Sequence, residues 1–248
     1  MDLLNFEIKK KNLFNKIGRI FVPGAQFSYS QFGEDIVLEY LFSELRIKNP
    51  TYLDMGANDP RIGSNTYKFY RRGSSGVLVE PDPFLSKKIK KIRPRDIILN
   101  IGVGFEEEVT ESEYFQFPNW ASGLNTFSKE NATYWQEVGH KDFGKIDILK
   151  TSLVKLNSVN HILKQYFVDA PPNLISLDIE GLDLQILKTI NFDSCTSEVI
   201  CVETLGYDDK QRTFKRNDII SYLQSKAYMV FADTRVNTIL CKSNLINS

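Results

Sequence analysis

From residue 51 onward the chain alternates short apolar runs with helical ones, and few folds accommodate that alternation. Residues 51–55, 76–80 and 97–101 read as strands, with helices at 65–72 and 83–92 between them. The rhythm returns with strands at 174–178 and 198–203 and helices at 182–190 and 218–226. Short apolar strands separated by helices form βαβ units, hence a parallel sheet covered by helices on both faces. The last two runs, 229–232 and 238–241, are separated only by Asp233-Thr234-Arg235-Val236-Asn237. That gap is too short for a crossover helix, so this pair must be antiparallel. The expected fold class is α/β, doubly wound and Rossmann-like, ending in an antiparallel hairpin.

Two stretches depart from the rhythm. Residues 104–172 read as an insertion between the third and fourth strands, with extra strands at 114–117 and 146–153, a polar loop at 120–126 and a helix near 159–167. Residues 1–29 mix apolar side chains with Lys9, Lys10, Lys11, Lys16 and Arg19 and read as an amphipathic arm packed on the body, with peripheral membrane contact the less favoured use. Residues 30–248 then form one domain. It opens with a helix capped by Ser30, with Glu34 and Asp35 in its first turn, and Asn49-Pro50 stops that helix.

The 31 Lys and Arg balance 31 Asp and Glu. A neutral chain has no long-range field to hold a polyanion, so nucleic acid is not an expected partner. The second basic run, Lys87, Lys88, Lys90, Lys91, Arg93 and Arg95, reads as a solvated helix face. Cys195, Cys201 and Cys241 have no metal-type spacing, and three cysteines make no disulfide framework, which favours a reducing compartment. No apolar run approaches the ~18 residues that cross a bilayer, and no signal-peptide stretch is visible, so a cytoplasmic location is expected.

In an open parallel sheet, ligands sit beyond the carboxyl ends of the strands, where turns and helix N-termini converge. The first strand delivers Asp54-Met55-Gly56-Ala57-Asn58 there, with Gly56 permitting a tight turn and close backbone approach. No second glycine follows to seat a pyrophosphate, so a ligand without phosphates is favoured and a nicotinamide-dependent oxidoreductase is disfavoured. Glu80 ends the second strand, where an acid can accept both hydroxyls of a ribose. Asn100 ends the third strand and can pair with an adenine edge. Asp178 and Glu180 flank the fourth strand's end, able to bind a metal, orient an acceptor or take its proton, and Glu203 adds a third acid on the same edge. Asp183 reads as the cap of the next helix.

Ser30-Gln31-Phe32-Gly33-Glu34-Asp35, Asp54-Met55-Gly56-Ala57-Asn58, Val79-Glu80-Pro81, Asp178-Ile179-Glu180-Gly181 and Val202-Glu203, in that order, resemble the FkbM family of S-adenosylmethionine-dependent methyltransferases. The resemblance spans Ser30 to Glu203. It implies a seven-strand class I methyltransferase sheet and O-methylation of a hydroxyl on a sugar, glycan or secondary metabolite. It further implies that Asp54, Gly56 and Asn58 hold the methionine part of the cofactor, that Glu80 holds its ribose, and that Asn100 and Gly102 neighbour the adenine. Gln31 to Asp35 would close that pocket. Asp178 and Glu203 stand where related catechol-type enzymes place Mg²⁺ ligands, so Mg²⁺ is an optional cofactor.

Asp178, or a metal it binds, is the expected activator of the acceptor, with Glu180 orienting it. His140, on a loop of the insertion, is the alternative base. Trp120 and Asn125, with Trp135 nearby, offer an aromatic platform and amides for the acceptor, unless the tryptophans only close a small satellite core. Methylation at nitrogen and a non-catalytic binding module remain the alternatives.

Overall fold

The computed structural model describes residues 25–140, 143–195, 197–208, 210 and 212–246. The amphipathic arm and its basic cluster therefore lie, apart from residues 25–29, outside the described residues.

The chain enters through α1 (Glu34–Glu44) and then runs β1 (Tyr52–Met55), α2 (Tyr67–Arg72), β2 (Gly76–Val79), α3 (Pro83–Ile92) and β3 (Ile97–Leu99). The extra elements follow: β4 (Gly102–Gly104), β5 (Thr110–Gln116), a 3₁₀ turn (Asn119–Leu124), α4 (Lys129–Glu137) and β6 (Lys150–Ser158). The rhythm resumes with α5 (Val159–Tyr166), β7 (Leu174–Leu177), α6 (Asp183–Thr189) and β8 (Val199–Glu203). Two short strands, β9 (Leu205–Tyr207) and β10 (Thr213–Lys215), precede α7 (Asn217–Ser225), β11 (Tyr228–Asp233), β12 (Asn237–Lys242) and α8 (Ser243–Ile246).

Seven strands form the main sheet in the order β11-β12-β8-β7-β1-β2-β3. β12 is antiparallel to both β8 and β11, and the other pairings are parallel. This is the Rossmann-like seven-strand sheet with a C-terminal antiparallel hairpin. The strand order reverses between β1 and β7, which opens a crevice at their carboxyl ends.

Every residue of β1 and β7 is buried, as expected of strands covered on both faces. Alternation along β1 divides them between two cores. Leu53 and Met55 pack with Val159, Ile162, Ile186, Leu187, Ile219 and Leu223 from α5, α6 and α7. Tyr52, on the opposite face, packs with Leu38, Leu41 and Phe42 of α1 and with Phe69 and Ile89. The three cysteines are free, and each is buried in one of these cores.

Several boundaries differ from the sequence reading for identifiable reasons. α1 is entered through Gly33 in the left-handed conformation, and Ser30 instead accepts the Asp35 N–H with its hydroxyl at 3.2 Å. β3 stops at Leu99 because the Asn100 amide donates to the carbonyls of Glu80 and Pro81 at 2.9 and 2.8 Å, turning the chain out of the sheet. The extra elements build a separate sheet, β4-β6-β5, over a small core that includes Phe115, Phe117, Trp135 and Ile146. The helix expected near 159–167 belongs to the main core rather than to this unit, because Val159 and Ile162 are buried against β1 and β7. The β9–β10 pair had no counterpart in the sequence reading.

Arg93 corrects the reading of the second basic run as solvated. It follows the last turn of α3 and is fully buried, donating to Asp96 Oδ2 at 2.7 Å, Thr66 Oγ1 at 3.0 Å and Ser64 Oγ at 3.3 Å. The rings of Tyr52, Tyr67 and Tyr70 surround its guanidinium at 5.2 to 5.9 Å. Thr66 passes the network on to Asp54 at 2.5 Å, so one buried cation serves two buried acids beneath the first turn of the site. Arg93→Met is expected to cost about 3–5 kcal/mol in urea unfolding, because it strands those acids without a counter-charge. A loss below about 1 kcal/mol, the range of exposed pairs, would contradict this role.

Candidate active site

At the crevice between β1 and β7 lies a cavity of about 760 Å³, walled by the turns that follow β1, β2, β7 and β8 and by the extra sheet and its loops. The β1 turn is the most constrained part. Gly56 and Ala57 both donate their N–H to the Val79 carbonyl, at 3.1 and 3.2 Å, and the Asp178 N–H bonds the Met55 carbonyl at 3.1 Å. Gly56 has φ +84, and a Cβ there would lie 1.8 Å from the Asp178 carbonyl oxygen. Only glycine fits, and the cavity meets bare backbone at that point.

Asn58 also takes a left-handed backbone, φ 45, which asparagine tolerates. Its N–H donates to Glu80 Oε2 at 2.8 Å, and the Asp82 N–H donates to Oε1 at 2.8 Å. Glu80 is 2% exposed, and burial pushes its carboxyl up to about 7 against the pull of these two donors. Each oxygen keeps a lone pair for a further partner.

On the neighbouring turns Asp178, Glu180 and Glu203 bring one carboxylate oxygen each to within 4.8 Å of one another. All three carboxyls are raised, first by burial and then by mutual repulsion and that of Asp183. Asp178 Oδ1 is shut from solvent and accepts from no N–H or hydroxyl among the described residues, while the Asp178 and Glu203 carboxyls lie close enough to share a proton. Glu180 sits at φ 54, and its carbonyl accepts from Thr126 Oγ1 at 3.0 Å and Asn131 Nδ2 at 2.7 Å, which fixes the acidic turn to the insertion.

Of the residues named from sequence, Gln31, Gly56, Asn58, Glu80, Asn125, Trp135, His140, Asp178, Glu180 and Glu203 line this cavity. Five others do not. Asp54 lies beneath the turn and accepts from Thr66. Asp35 holds the approach to α1, accepting from Ser28 at 2.6 Å, Tyr29 N–H at 2.7 Å and Ser30 at 3.0 Å. Asn100 is exposed, with its amide engaged by the β2 turn. Gly102 backs onto Phe127 and Leu156, which a Cβ would strike at 2.4 and 2.5 Å. Trp120 is 63% exposed and packs on Phe143 at 5.3 Å, outside the cavity. Nor is Asp183 a cap: it is the first residue of α6 and reaches back to accept from Ile179 and Gly181 N–H at 3.1 and 3.3 Å.

The wall also contains residues that were not singled out. Tyr207 and Thr213 come from β9 and β10, and Arg235 from the β11–β12 turn. Nothing in Leu205-Gly206-Tyr207 announces a strand. Arg235, by contrast, follows from the topology, since an antiparallel β12 starts where β8 ends, and Asn237 pairs with Glu203. Glu34 ties this turn to α1, accepting from Thr234 at 2.6 Å, Phe32 N–H at 2.9 Å and Asn237 at 3.1 Å. Burial raises its carboxyl, but these bonds outweigh burial and hold it low.

Residues 54–230 match the family model described as "Methyltransferase FkbM domain". No curated protein matches the sequence. Similar solved structures include a TehB-like SAM-dependent methyltransferase from Corynebacterium glutamicum, 10% identical over 95% of this chain and 99% of that one, TM-score 0.41. An O-methyltransferase from Bacillus cereus in complex with SAH is 8% identical over 93% and 88%, TM-score 0.42. The 1,6-didemethyltoxoflavin-N1-methyltransferase of Burkholderia thailandensis is 8% identical over 95% and 85%, TM-score 0.40.

The raised carboxyls have a consequence for stability. Between the ordinary carboxylate range and about 7, folded Glu80 keeps a proton that the unfolded chain has released, and Asp178 shifts in the same direction. The folded state then binds more protons, so stability falls as pH rises through that window. The melting temperature in metal-free buffer is expected to decline from pH 5 to pH 7.5. A flat or rising profile would contradict the assignment.

Proposed function

The chain belongs to the FkbM methyltransferase family, and from that membership and the cavity's geometry we propose that it transfers a methyl group from S-adenosylmethionine to a hydroxyl of a sugar, glycan or secondary metabolite. The observation that carries this reading is the bare Gly56 turn and the buried Glu80 carboxylate on the wall of the cavity that also holds the acid cluster. The donor set suits an adenosyl ligand. Gly56 lets the ligand's amino-acid end approach backbone, Glu80 offers lone pairs to ribose hydroxyls, and Val79, Pro81 and Val103 offer apolar surface to the base. No glycine-rich phosphate loop competes for this turn, which argues against a dinucleotide.

When bound, the cofactor supplies a methyl carbon activated by its sulfonium sulfur. The protein's residues then align the acceptor and manage its proton. Burial and the neighbouring acids make the Asp178 carboxylate a better proton acceptor than an exposed aspartate, so it takes the hydroxyl proton as the oxygen attacks. Glu180 and Glu203 lie within reach of the same hydroxyl and orient it. His140 lines the cavity from the insertion and contributes to the acceptor's wall rather than to this acid group. The balanced charge of the chain supports a small acceptor over a nucleic acid.

Binding and turnover test the reading separately. S-adenosylhomocysteine should raise the melting temperature, and NAD should not. Asp178→Asn should keep that shift while lowering tritiated methyl transfer to a glycan and metabolite panel by about 10²–10⁴-fold. Full turnover in this variant would remove Asp178 from the chemistry.

A second reading rests on the three converging carboxylates and on an Asp178 Oδ1 that no N–H or hydroxyl reaches, namely that Asp178, Glu180 and Glu203 hold a divalent cation such as Mg²⁺. Such an ion would be the Lewis acid that lowers the cost of ionising the hydroxyl. EDTA separates the two: turnover that survives chelation assigns the proton to Asp178 alone, and loss restored by Mg²⁺ assigns the cluster to the metal.

A further inference from the structure

Resting on the methyltransferase reading, we propose that Trp135 is the residue that selects the acceptor, its indole N–H donating a hydrogen bond to an oxygen of a polyhydroxylated ring. Trp135 stands on α4, lines the cavity and is 4% exposed. Its Nε1 is shut from solvent and has no hydrogen-bond partner among the described residues. An indole N–H can only donate, and a buried donor left unmade is costly; a cavity ligand's oxygen that reaches it through a slight opening of the surrounding rings would remove that cost.

The ring has little freedom to turn elsewhere. Tyr134 meets it edge-on at 5.0 Å, Tyr207 at 5.5 Å, and His140 lies tilted over it at 6.0 Å. Tyr134 is itself anchored, its hydroxyl donating to the Asp208 carbonyl at 3.0 Å.

The cavity thus combines a fixed donor, flanking aromatic rings and a group of carboxylates. The carboxylates accept hydroxyl protons, the indole demands an acceptor oxygen, and the rings favour a ligand with an apolar face. A ring bearing several hydroxyls meets all three demands. A simple amine meets only the first, since protonated it has no lone pair for the indole, and this sets the proposal against methylation at nitrogen. Saccharides and polyphenols share this chemistry, and the two arms of the test distinguish them.

The sequence has two tryptophans, so Trp120→Phe leaves Trp135 as the only indole. With this protein saturated in S-adenosylhomocysteine, methyl hexopyranosides are titrated in one arm and 1,2,3-trihydroxybenzene in the other, with affinity read by calorimetry and Trp135 emission followed in the saccharide arm. At least one arm should bind, and binding of a pyranoside should shift the emission. Adding Trp135→Phe, which keeps an aromatic ring and removes the donor, should weaken that binding by about tenfold and leave S-adenosylhomocysteine affinity unchanged. Failure of both arms in cofactor-saturated protein, or equal affinity in the Trp135→Phe variant, overturns the proposal. If that variant does not fold, the emission of the Trp120→Phe protein, or for the phenol the perturbation of its indole N–H resonance, decides alone, and an unchanged signal on binding overturns it. Failure of S-adenosylhomocysteine itself to bind would instead remove the methyltransferase reading on which this rests.

Discussion

The absent side chain of Gly56 sets the geometry of everything around it. The turns after β1 and β7 approach so closely that a single Cβ would overlap the Asp178 carbonyl oxygen at 1.8 Å. That contact fixes how far Asp178 stands from the β1 turn, and so where the acid cluster lies relative to any ligand resting on Gly56. Beneath it, Asp54 and Thr66 are clamped by the buried Arg93, and above it the Asn58 N–H donates to the Glu80 carboxylate. The first turn is therefore held from below by a charge network and from the side by β2, leaving its upper surface as free backbone.

Charge placement follows from the same topology. Parallel strands send all their carboxyl ends to one edge, and this chain ends its second, fourth and fifth strands of the main sheet in acids or follows them directly with acids. Like charges this close are costly to ionise together, so the edge holds its protons to higher pH than exposed acids do. A positively charged ligand or a divalent ion lowers that cost, and so does a proton held in common. The Arg93 network shows the contrasting solution on the other face of the sheet, where the counter-charge is built in.

The main sheet was legible in the sequence because doubly buried strands such as 174–177 and 199–202 are near-continuous apolar runs, and because five residues cannot carry a crossover between β11 and β12. The cavity's wall was legible wherever a side chain projects directly from a strand end, as Glu80, Asp178 and Glu203 do. It was misread where position along the chain does not reveal direction. Asp54 alternates to the face away from the cavity, Asn100 folds back onto its own neighbours, and Arg93 turns inward at the last turn of a helix whose other cations are on the surface. The β9 wall was invisible, since Leu205-Gly206-Tyr207 has neither length nor alternation enough to announce a strand, and it acquires its place only by pairing with β10.

The insertion is part of the acidic turn's own construction. Glu180 adopts a backbone conformation unfavourable for a non-glycine residue, and such a conformation persists only where its surroundings over-determine it. The over-determination comes from the insertion: Thr126 and Asn131 both donate to the Glu180 carbonyl, and Asn131 packs so tightly on Gly181 that a Cβ there would meet its Nδ2 at 2.2 Å. Asn131 sits on α4, one turn from Trp135 on the same helix. The helix that carries the indole is therefore the helix that holds Glu180 in place, which couples the Trp135 wall of the cavity mechanically to the carboxylates beside it. A shift of α4 that widened the cavity on the Trp135 side would also move the Glu180 turn, so the width of the cavity and the alignment of the acids are linked in this fold.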